Sequence, residues 1–449
     1  MLKKILIANR GEIAVRVIRA AKSMGIKTVA VYSEADKNSL HVQLADQAVC
    51  IGPAPSLQSY LRIDAILEAA RETGADSVHP GYGFLSESST FAQACKDNGL
   101  VFIGPSPELI ESMGNKSQAR KTMIEAGVPV VPGSKEPMHN AQDALKAARE
   151  MGWPIMIKAS GGGGGKGMRV SLDESDFEEQ FNIAQHESVS FFDNDTMYLE
   201  RALFNPRHVE VQIMADSFGN VVSLGERDCS IQRNHQKMVE ESPCPFLSEE
   251  KREAIARTAV TAAKAVGYES AGTIEFLVDD AENFYFMEMN TRIQVEHSVA
   301  EMRFNIDLVR EMIRVASGLE LSWKQEDLKP VGHAIECRIN AERPARNFMP
   351  SPGPVTALNF PGGNGVRIDS AMYAGGAISS YYDSMVAKII THAPTREEAI
   401  EKMKCALEET VIGGVYTNLD IQYAIMCNEV FRNGEATTSF IEHFLAGEL

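Results

Sequence analysis

Ile5-Leu6-Ile7-Ala8 is a short buried-strand pattern, and Glu12 to Met24 follows with apolar residues at helical spacing (Ile13, Val17, Ala20, Ala21, Met24). Gly25 then stops the helix, and Thr28-Val29-Ala30-Val31-Tyr32 is strand-like again. The same alternation continues through Ala48-Val49-Cys50-Ile51, a helix over 61–73, Ser77-Val78-His79 and Val101-Phe102-Ile103. Strands alternating with helices predict an α/β fold that opens with a doubly wound parallel sheet. The first turn, Ala8-Asn9-Arg10-Gly11-Glu12, lacks G-x-G-x-x-G, so it does not support a dinucleotide site.

The texture changes from about residue 114. A helix over Lys116–Ala126 leads to Val-Pro-Val-Val-Pro-Gly at 128–133, a natural hinge into a subdomain ending near Leu203. Residues 204–300 are strand-rich, with a helical insert at 249–266. After Pro330 short β-like pieces (334–339, 365–368, 385–390) precede a helix over 396–410, opened by the capping-box pattern Thr395-x-x-Glu398. A chain of 449 residues holds about three domains. We expect them at 1–113, at 114–330 with a lid subdomain over about 133–203, and at 331–449, the last of mixed α+β type.

Composition narrows the partners. With 44 basic and 61 acidic residues the formal charge is -17, which disfavours nucleic acid and anionic membrane surfaces. The seven cysteines are scattered without a C-x-x-C pair, which predicts reduced thiols in a cytoplasmic setting. The N-terminal apolar stretch is too short for a signal peptide, and no apolar run reaches the ~18 residues of a membrane helix.

Four constellations carry chemistry. First, the strand Pro154-Ile155-Met156-Ile157-Lys158 runs into Ala159-Ser160 and the glycine run at 161–165, then Lys166-Gly167-Met168. Glycines expose backbone N–H groups, and Lys158 and Lys166 add positive charge, which suits a phosphate-covering flap. Gly167 after Lys166 rules out a Walker A loop. Second, Gly272-Thr-Ile-Glu275-Phe-Leu-Val and Phe284-Tyr-Phe-Met-Glu288-Met-Asn290 flank the turn Asp280-Ala-Glu-Asn283. A hairpin closed by Asp279 and Phe284 sets Glu275 opposite Glu288, with Asn290 on the same face. Facing carboxylates repel unless a cation lies between them, and oxygen ligands suit Mg²⁺ or Mn²⁺. Third, Glu288, Asn290, Arg292, Gln294 and Glu296 recur with period two, so Arg292 is placed to clamp an oxyanion and Glu296 to act as a base. Fourth, Glu226 to Lys237 packs polar groups around Gln232, His235 and Lys237.

Together these stretches resemble biotin carboxylase, an ATP-grasp enzyme family. The resemblance spans the chain: Ile7–Ala14, His79–Glu87, Lys158–Met168, Asn205–Glu210, Glu226–Ser230, Glu288–His297 and Glu336–Glu342. It implies a central ATP-grasp domain with a mobile glycine-rich lid. It also implies that Lys116, Lys158, Gly163, Gly164, Lys166, His208, Gln232 and His235 contact ATP, with Glu200 and Leu203 at the adenine. Glu275 and Glu288 would bind magnesium beside Asn290. Lys237, Arg292, Gln294 and the Val295 backbone would hold bicarbonate. Glu296 would be the base that activates it against the γ-phosphate, giving carboxyphosphate. Arg338 would stabilise the biotin enolate, with Tyr82 and Gly83 on the biotin side. The implied partner is a biotin carboxyl carrier protein or biotinylated carboxyltransferase subunit, since no Ala-Met-Lys-Met is present and Lys404 falls in a predicted helix.

Two departures stand out. The family usually reads Pro-Val-Thr-Glu after Glu296-His297, and here it is Ser298-Val299-Ala300-Glu301. Asn364 replaces a phenylalanine frequent at a dimer contact, which bears on a homodimer. Another bicarbonate-using ATP-grasp ligase, or a silent regulatory subunit, are the alternatives. Acetyl-CoA, propionyl-CoA, pyruvate and 2-oxoglutarate all remain candidate final acceptors.

Overall fold

The computed structural model describes residues 1–134, 136–159, 167–192 and 194–449. The glycine flap falls largely outside them, and so do Gly163, Gly164 and Lys166.

Five strands open the chain: Lys4–Ile7, Lys27–Ser33, Gln47–Gly52, Ser77–His79 and Val101–Phe102. They form one parallel sheet in the order third, second, first, fourth, fifth. This is the doubly wound arrangement that the alternating periods predict. The helix Gly11–Ser23 follows the first strand and buries Ile13, Val17 and Ile18. They share one core with Ile293, Leu308 and Met312, so the N-terminal layer is packed onto the middle of the chain.

The lid subdomain has its own core. Strands Ile155–Ala159, Met168–Ser171 and Met197–Arg201 form a three-stranded antiparallel sheet. The helices Ala141–Met151 and Phe177–Phe192 cover it, and Ile155, Ile157, Phe177, Phe181 and Leu199 are fully buried between them. The chain enters through the hinge, where the Arg201 N–H donates to the Pro132 carbonyl at 2.8 Å.

An eight-stranded antiparallel sheet makes the floor of the molecule. Its order is Phe284–Asn290, Ser270–Val278, Arg207–Ala215, Val221–Arg233, Gln236–Ser242, His333–Asn340, Met385–Ala393 and Val366–Ser370. The sheet runs without a break across residue 330, because Gln236–Ser242 pairs with His333–Asn340. The helices Glu249–Ala265 and Arg396–Glu409 pack on it. Thr395 caps the latter, its hydroxyl accepting from the Glu398 N–H at 3.2 Å.

Several helices, among them His297–Phe304 and Leu419–Cys427, carry no sequence expectation. The first has a physical reason for this. It buries His297, Ser298, Glu301 and Arg303, so it shows no apolar stripe.

Candidate active site

The hairpin turn differs from its expected form. Val278, not Asp279, lies opposite Phe284. Asp279 leaves the ladder because its carboxylate accepts from the Ala281 and Asn283 N–H groups at 2.9 Å, an Asx-type turn. A bulge at Met287 then moves the register back by one, so Glu275 does stand opposite Glu288, and Thr273 opposite Asn290.

The two acids occupy different environments. Glu275 is buried and takes the His208 Nε2 and Lys237 Nζ at 3.1 Å each, the Asn290 amide at 2.9 Å and the Gln294 amide at 2.8 Å. Burial alone would raise its pKa, but Lys237 and His208 outweigh that and hold it well below the usual carboxylate range. Glu288 is half-exposed, and among the described residues its ion-pair partner is Lys116, with Nζ at 3.5 Å. The pair is therefore not left uncompensated. Asn290 turns its oxygen to Arg292 Nη2 at 2.8 Å.

Lys237 is the centre of the site. Its Nζ lies 2.7 Å from Glu210, 3.1 Å from Glu275 and 2.6 Å from Glu296. Burial disfavours the ammonium, yet three acids around it push its pKa well above the ordinary value. Glu296 is 1% exposed and is gripped from its other side by Arg338 Nη2 at 2.9 Å. Burial raises its pKa, and Lys237, Arg338 and Arg227 together drive it far below normal. Arg338 is also bound to Glu240, at 2.5 Å, so neither Glu336 nor Glu342, the acids nearest in sequence, is its salt-bridge partner.

Two residues here carry no role in the sequence expectations. Glu210 is fully buried and bridges Lys237 to Arg227 Nε, the latter at 2.6 Å. Arg227, also fully buried, donates to the Gln294 oxygen at 2.8 Å. Gln294 is thus fixed at both ends, by Arg227 and by Glu275. The signal was in the strand Arg207–Ala215, where His208, Glu210 and Gln212 alternate with Val209, Val211 and Ile213. A strand buried on both faces that carries polar residues on one has a reason to do so.

Around this centre, Arg292 Nε pairs with Glu87 at 2.8 Å. Lys158 pairs with Glu200 on the adjacent lid strand. Gln232 and His235 sit at a hairpin tip, where Asn234 and His235 both take left-handed backbone, as a two-residue hairpin turn requires. The Tyr82 hydroxyl donates to Glu12. Every expected site residue among those described lines one cleft of about 1700 Å³. They are Tyr82, Gly83, Lys116, Lys158, Glu200, Leu203, His208, Gln232, His235, Lys237, Glu275, Glu288, Asn290, Arg292, Gln294, Val295, Glu296 and Arg338.

A parallel N-terminal sheet, a separate lid and a cation-and-carboxylate cleft over an antiparallel sheet make up the architecture of an ATP-grasp ligase. Three family models match the chain in succession. They are the biotin carboxylase N-terminal domain at residues 1–110, the ATP-binding domain of the carbamoyl-phosphate synthase L chain at 115–324, and the biotin carboxylase C-terminal domain at 336–443. Biotin carboxylase 1 of Bacillus subtilis is 54% identical over 445 residues, which is 99% of each chain. Among solved structures, a biotin carboxylase–beta-gamma-ATP complex from Campylobacter jejuni superposes with a TM-score of 0.92 at 49% identity, covering 99% of both chains. The biotin carboxylase domain dimer of Hydrogenobacter thermophilus 2-oxoglutarate carboxylase, solved with MgADP, ADP and bicarbonate, gives 0.90 at 46%, again over 99% of both. The chain belongs to the biotin carboxylase family. No helix among the described residues is long and apolar enough to cross a membrane.

Proposed function

We propose that this chain uses ATP and bicarbonate to carboxylate biotin carried on another polypeptide, a biotin carboxyl carrier protein or biotinylated carboxyltransferase subunit. That is the first half-reaction of a biotin-dependent carboxylase, carried out in the cytoplasm. The observation that carries it is the placement of Glu296, buried between the Lys237 ammonium at 2.6 Å and the Arg338 guanidinium at 2.9 Å on the floor of the cleft.

A carboxylate so held is ionised but a poor base. A bicarbonate anion that draws Lys237, Arg292 and the Gln294 amide onto itself takes positive charge away from Glu296. The proton affinity of Glu296 then rises at the moment a proton must be removed. Bicarbonate activated in this way attacks the γ-phosphate, the bond to the β-phosphate oxygen breaks, and carboxyphosphate forms as ADP leaves. Lys116, Lys158, His208, Gln232 and His235 would hold the triphosphate, with Glu200 and Leu203 at the adenine.

Two carboxylates facing across a hairpin, one buried and one open to the cleft, fit a hard dication by their all-oxygen chemistry. Glu275 and Glu288 would hold Mg²⁺ or Mn²⁺, which when bound neutralises phosphate charge. Asn290 would join them on releasing Arg292. Carboxyphosphate would then fall to carbon dioxide and phosphate, the phosphate would take the proton of the biotin ureido nitrogen, and that nitrogen would attack the carbon dioxide. Arg338, already charged and already at the cleft, would stabilise the biotin anion, beside Tyr82 and Gly83.

The working units are 1–113, 114–330 with the lid over about 133–203, and 331–449. A second copy of the chain is a candidate partner. Asn364 lies exposed on the surface. The test is ATP hydrolysis by the purified chain with Mg²⁺. Hydrolysis should depend on bicarbonate, rise with free biotin and yield carboxybiotin. Turnover indifferent to both bicarbonate and biotin would overturn the proposal.

A further inference from the structure

Ser298 lies two residues beyond Glu296, in the first turn of the helix His297–Phe304, and is fully buried. Its hydroxyl donates to Glu336 Oε2 and accepts from Lys388 Nζ at 3.2 Å. Lys388 is fully buried too, and its ammonium also donates to the main-chain carbonyl of Val295. Glu12 and Asp369 stand 3.6 Å from the same ammonium.

The sheet explains why this matters. Lys388 lies directly opposite Arg338 on the neighbouring strand. Two like charges side by side on one face reach up to consecutive residues of one turn. Arg338 takes the Glu296 carboxylate at 2.9 Å, and Lys388 takes the Val295 carbonyl. An ammonium flanked by Glu12 and Asp369 is drawn toward either, because a charge–charge contact in a dry interior outweighs a carbonyl dipole. A second fixed acceptor on the helix side, beside the Val295 carbonyl, holds it beneath the turn instead, and the Ser298 hydroxyl is that acceptor. Glu336 in turn orients the hydroxyl by accepting its hydrogen bond.

We infer that Ser298 is a positioning residue: held between Glu336 and Lys388, its hydroxyl sets Lys388 under the Val295 carbonyl and so fixes the Val295–Glu296 turn on which bicarbonate is to be held. The inference rests on the proposed function.

The experiment compares Ser298→Ala and Ser298→Thr in the full chain. Bicarbonate and ATP are each varied in the biotin-stimulated ATPase assay, and thermal midpoints are recorded alongside. Loss of one hydrogen bond, felt at the bicarbonate site only through Lys388, should raise the KM for bicarbonate in Ser298→Ala by about three- to tenfold, as for a typical net hydrogen bond. The KM for ATP should stay within twofold, and Ser298→Thr, which keeps the hydroxyl, should restore the bicarbonate value. A merely structural serine would lower the thermal midpoint and leave the bicarbonate KM unmoved, and that result overturns the inference. So does an equal rise in both KM values, or a threonine variant no better than alanine. If Ser298→Ala does not accumulate folded, Ser298→Cys is measured in its place against the same two outcomes. A wild-type chain indifferent to bicarbonate overturns the parent proposal and this inference with it. A bicarbonate-dependent wild type with an unaltered Ser298→Ala overturns the inference alone.

Discussion

Glu275 stands directly opposite Glu288 across the hairpin, yet the two carboxylates answer to different cations. Glu275 is bound by Lys237 and His208 in the interior, and Glu288 meets Lys116 at the cleft surface. Mutual repulsion is therefore not what decides the effect of removing either one.

Glu288→Gln should leave stability nearly unchanged, within ~1 kcal/mol, because it breaks only an exposed ion pair. Glu275→Gln takes a charge away from buried His208 and Lys237 and should cost about 1–3 kcal/mol. Both should impair magnesium-dependent ATP hydrolysis. Urea unfolding beside a magnesium titration of the ATPase separates the two effects. A Glu288→Gln chain that unfolds much more easily and keeps its response to magnesium would show Glu288 to be structural.

Arg227 should be as sensitive as any residue named in the cleft. It is fully buried among Glu210, Gln212 and Gln294, with no competition from water. Arg227→Met should cost about 3–5 kcal/mol through the buried charge left on Glu210. It should also raise the KM for bicarbonate, because Gln294 loses one of its two anchors. A stability loss under 1 kcal/mol, measured by urea unfolding, would mean that Lys237 alone satisfies Glu210.

The parts of the fold legible in the sequence are those whose hydrophobic period is local. The helix at 11–23 between two short strands is one, and the capped helix at 396–409 is another. The Glu275–Glu288 pairing was legible through two offsets that cancel. The turn closes a residue early because Asp279 folds onto its own backbone, and the bulge at Met287 restores the step. Neither feature has a periodic signature. What was not legible is pairing across strands distant in the chain. Arg338 finds Glu240, and Glu210 finds Arg227, because the sheet order places them together. The helix beginning at His297 was hidden for the opposite reason, since it buries polar side chains that meet their partners only in the folded protein.

Three buried histidines should make the protein acid-sensitive. Burial lowers His41 to about 4, and lowers His79 and His297 to about 3. The unfolded chain, with ordinary histidines near 6.5, takes up protons first. Their contribution is complete above pH 6.5 and is lost as pH falls toward those folded values. Each histidine contributes at most about 1.4 kcal/mol per pH unit in that window. His41→Leu, which removes one such site, should flatten the fall in urea stability between pH 6.5 and 5. An unaltered slope would show that His41 is already protonated in the folded state.

Glu296 and Arg338 touch at 2.9 Å but should serve different halves of the reaction. On the proposed function, Glu296 would act on bicarbonate before carboxyphosphate exists, and Arg338 would act on biotin afterwards. Glu296→Ala should therefore suppress bicarbonate-dependent ATP hydrolysis and biotin carboxylation together, by about 10²–10⁴-fold as for other general bases. Arg338→Ala should abolish carboxybiotin formation and spare more of the biotin-independent ATPase. It also strands Glu240, fully buried with Arg338 as its only salt-bridge partner among the described residues, so stability should fall by about 3–5 kcal/mol. The double variant Arg338→Ala/Glu240→Gln separates the two losses. Removing the stranded charge should recover much of the stability, because an amide in that place needs no cation. It should recover none of the carboxylation, because neither change puts a guanidinium back at the cleft. Carboxybiotin restored along with stability would make Arg338 a structural residue. Equal loss of ATPase and carboxylation in the stabilised double variant would refute the division of labour between Arg338 and Glu296.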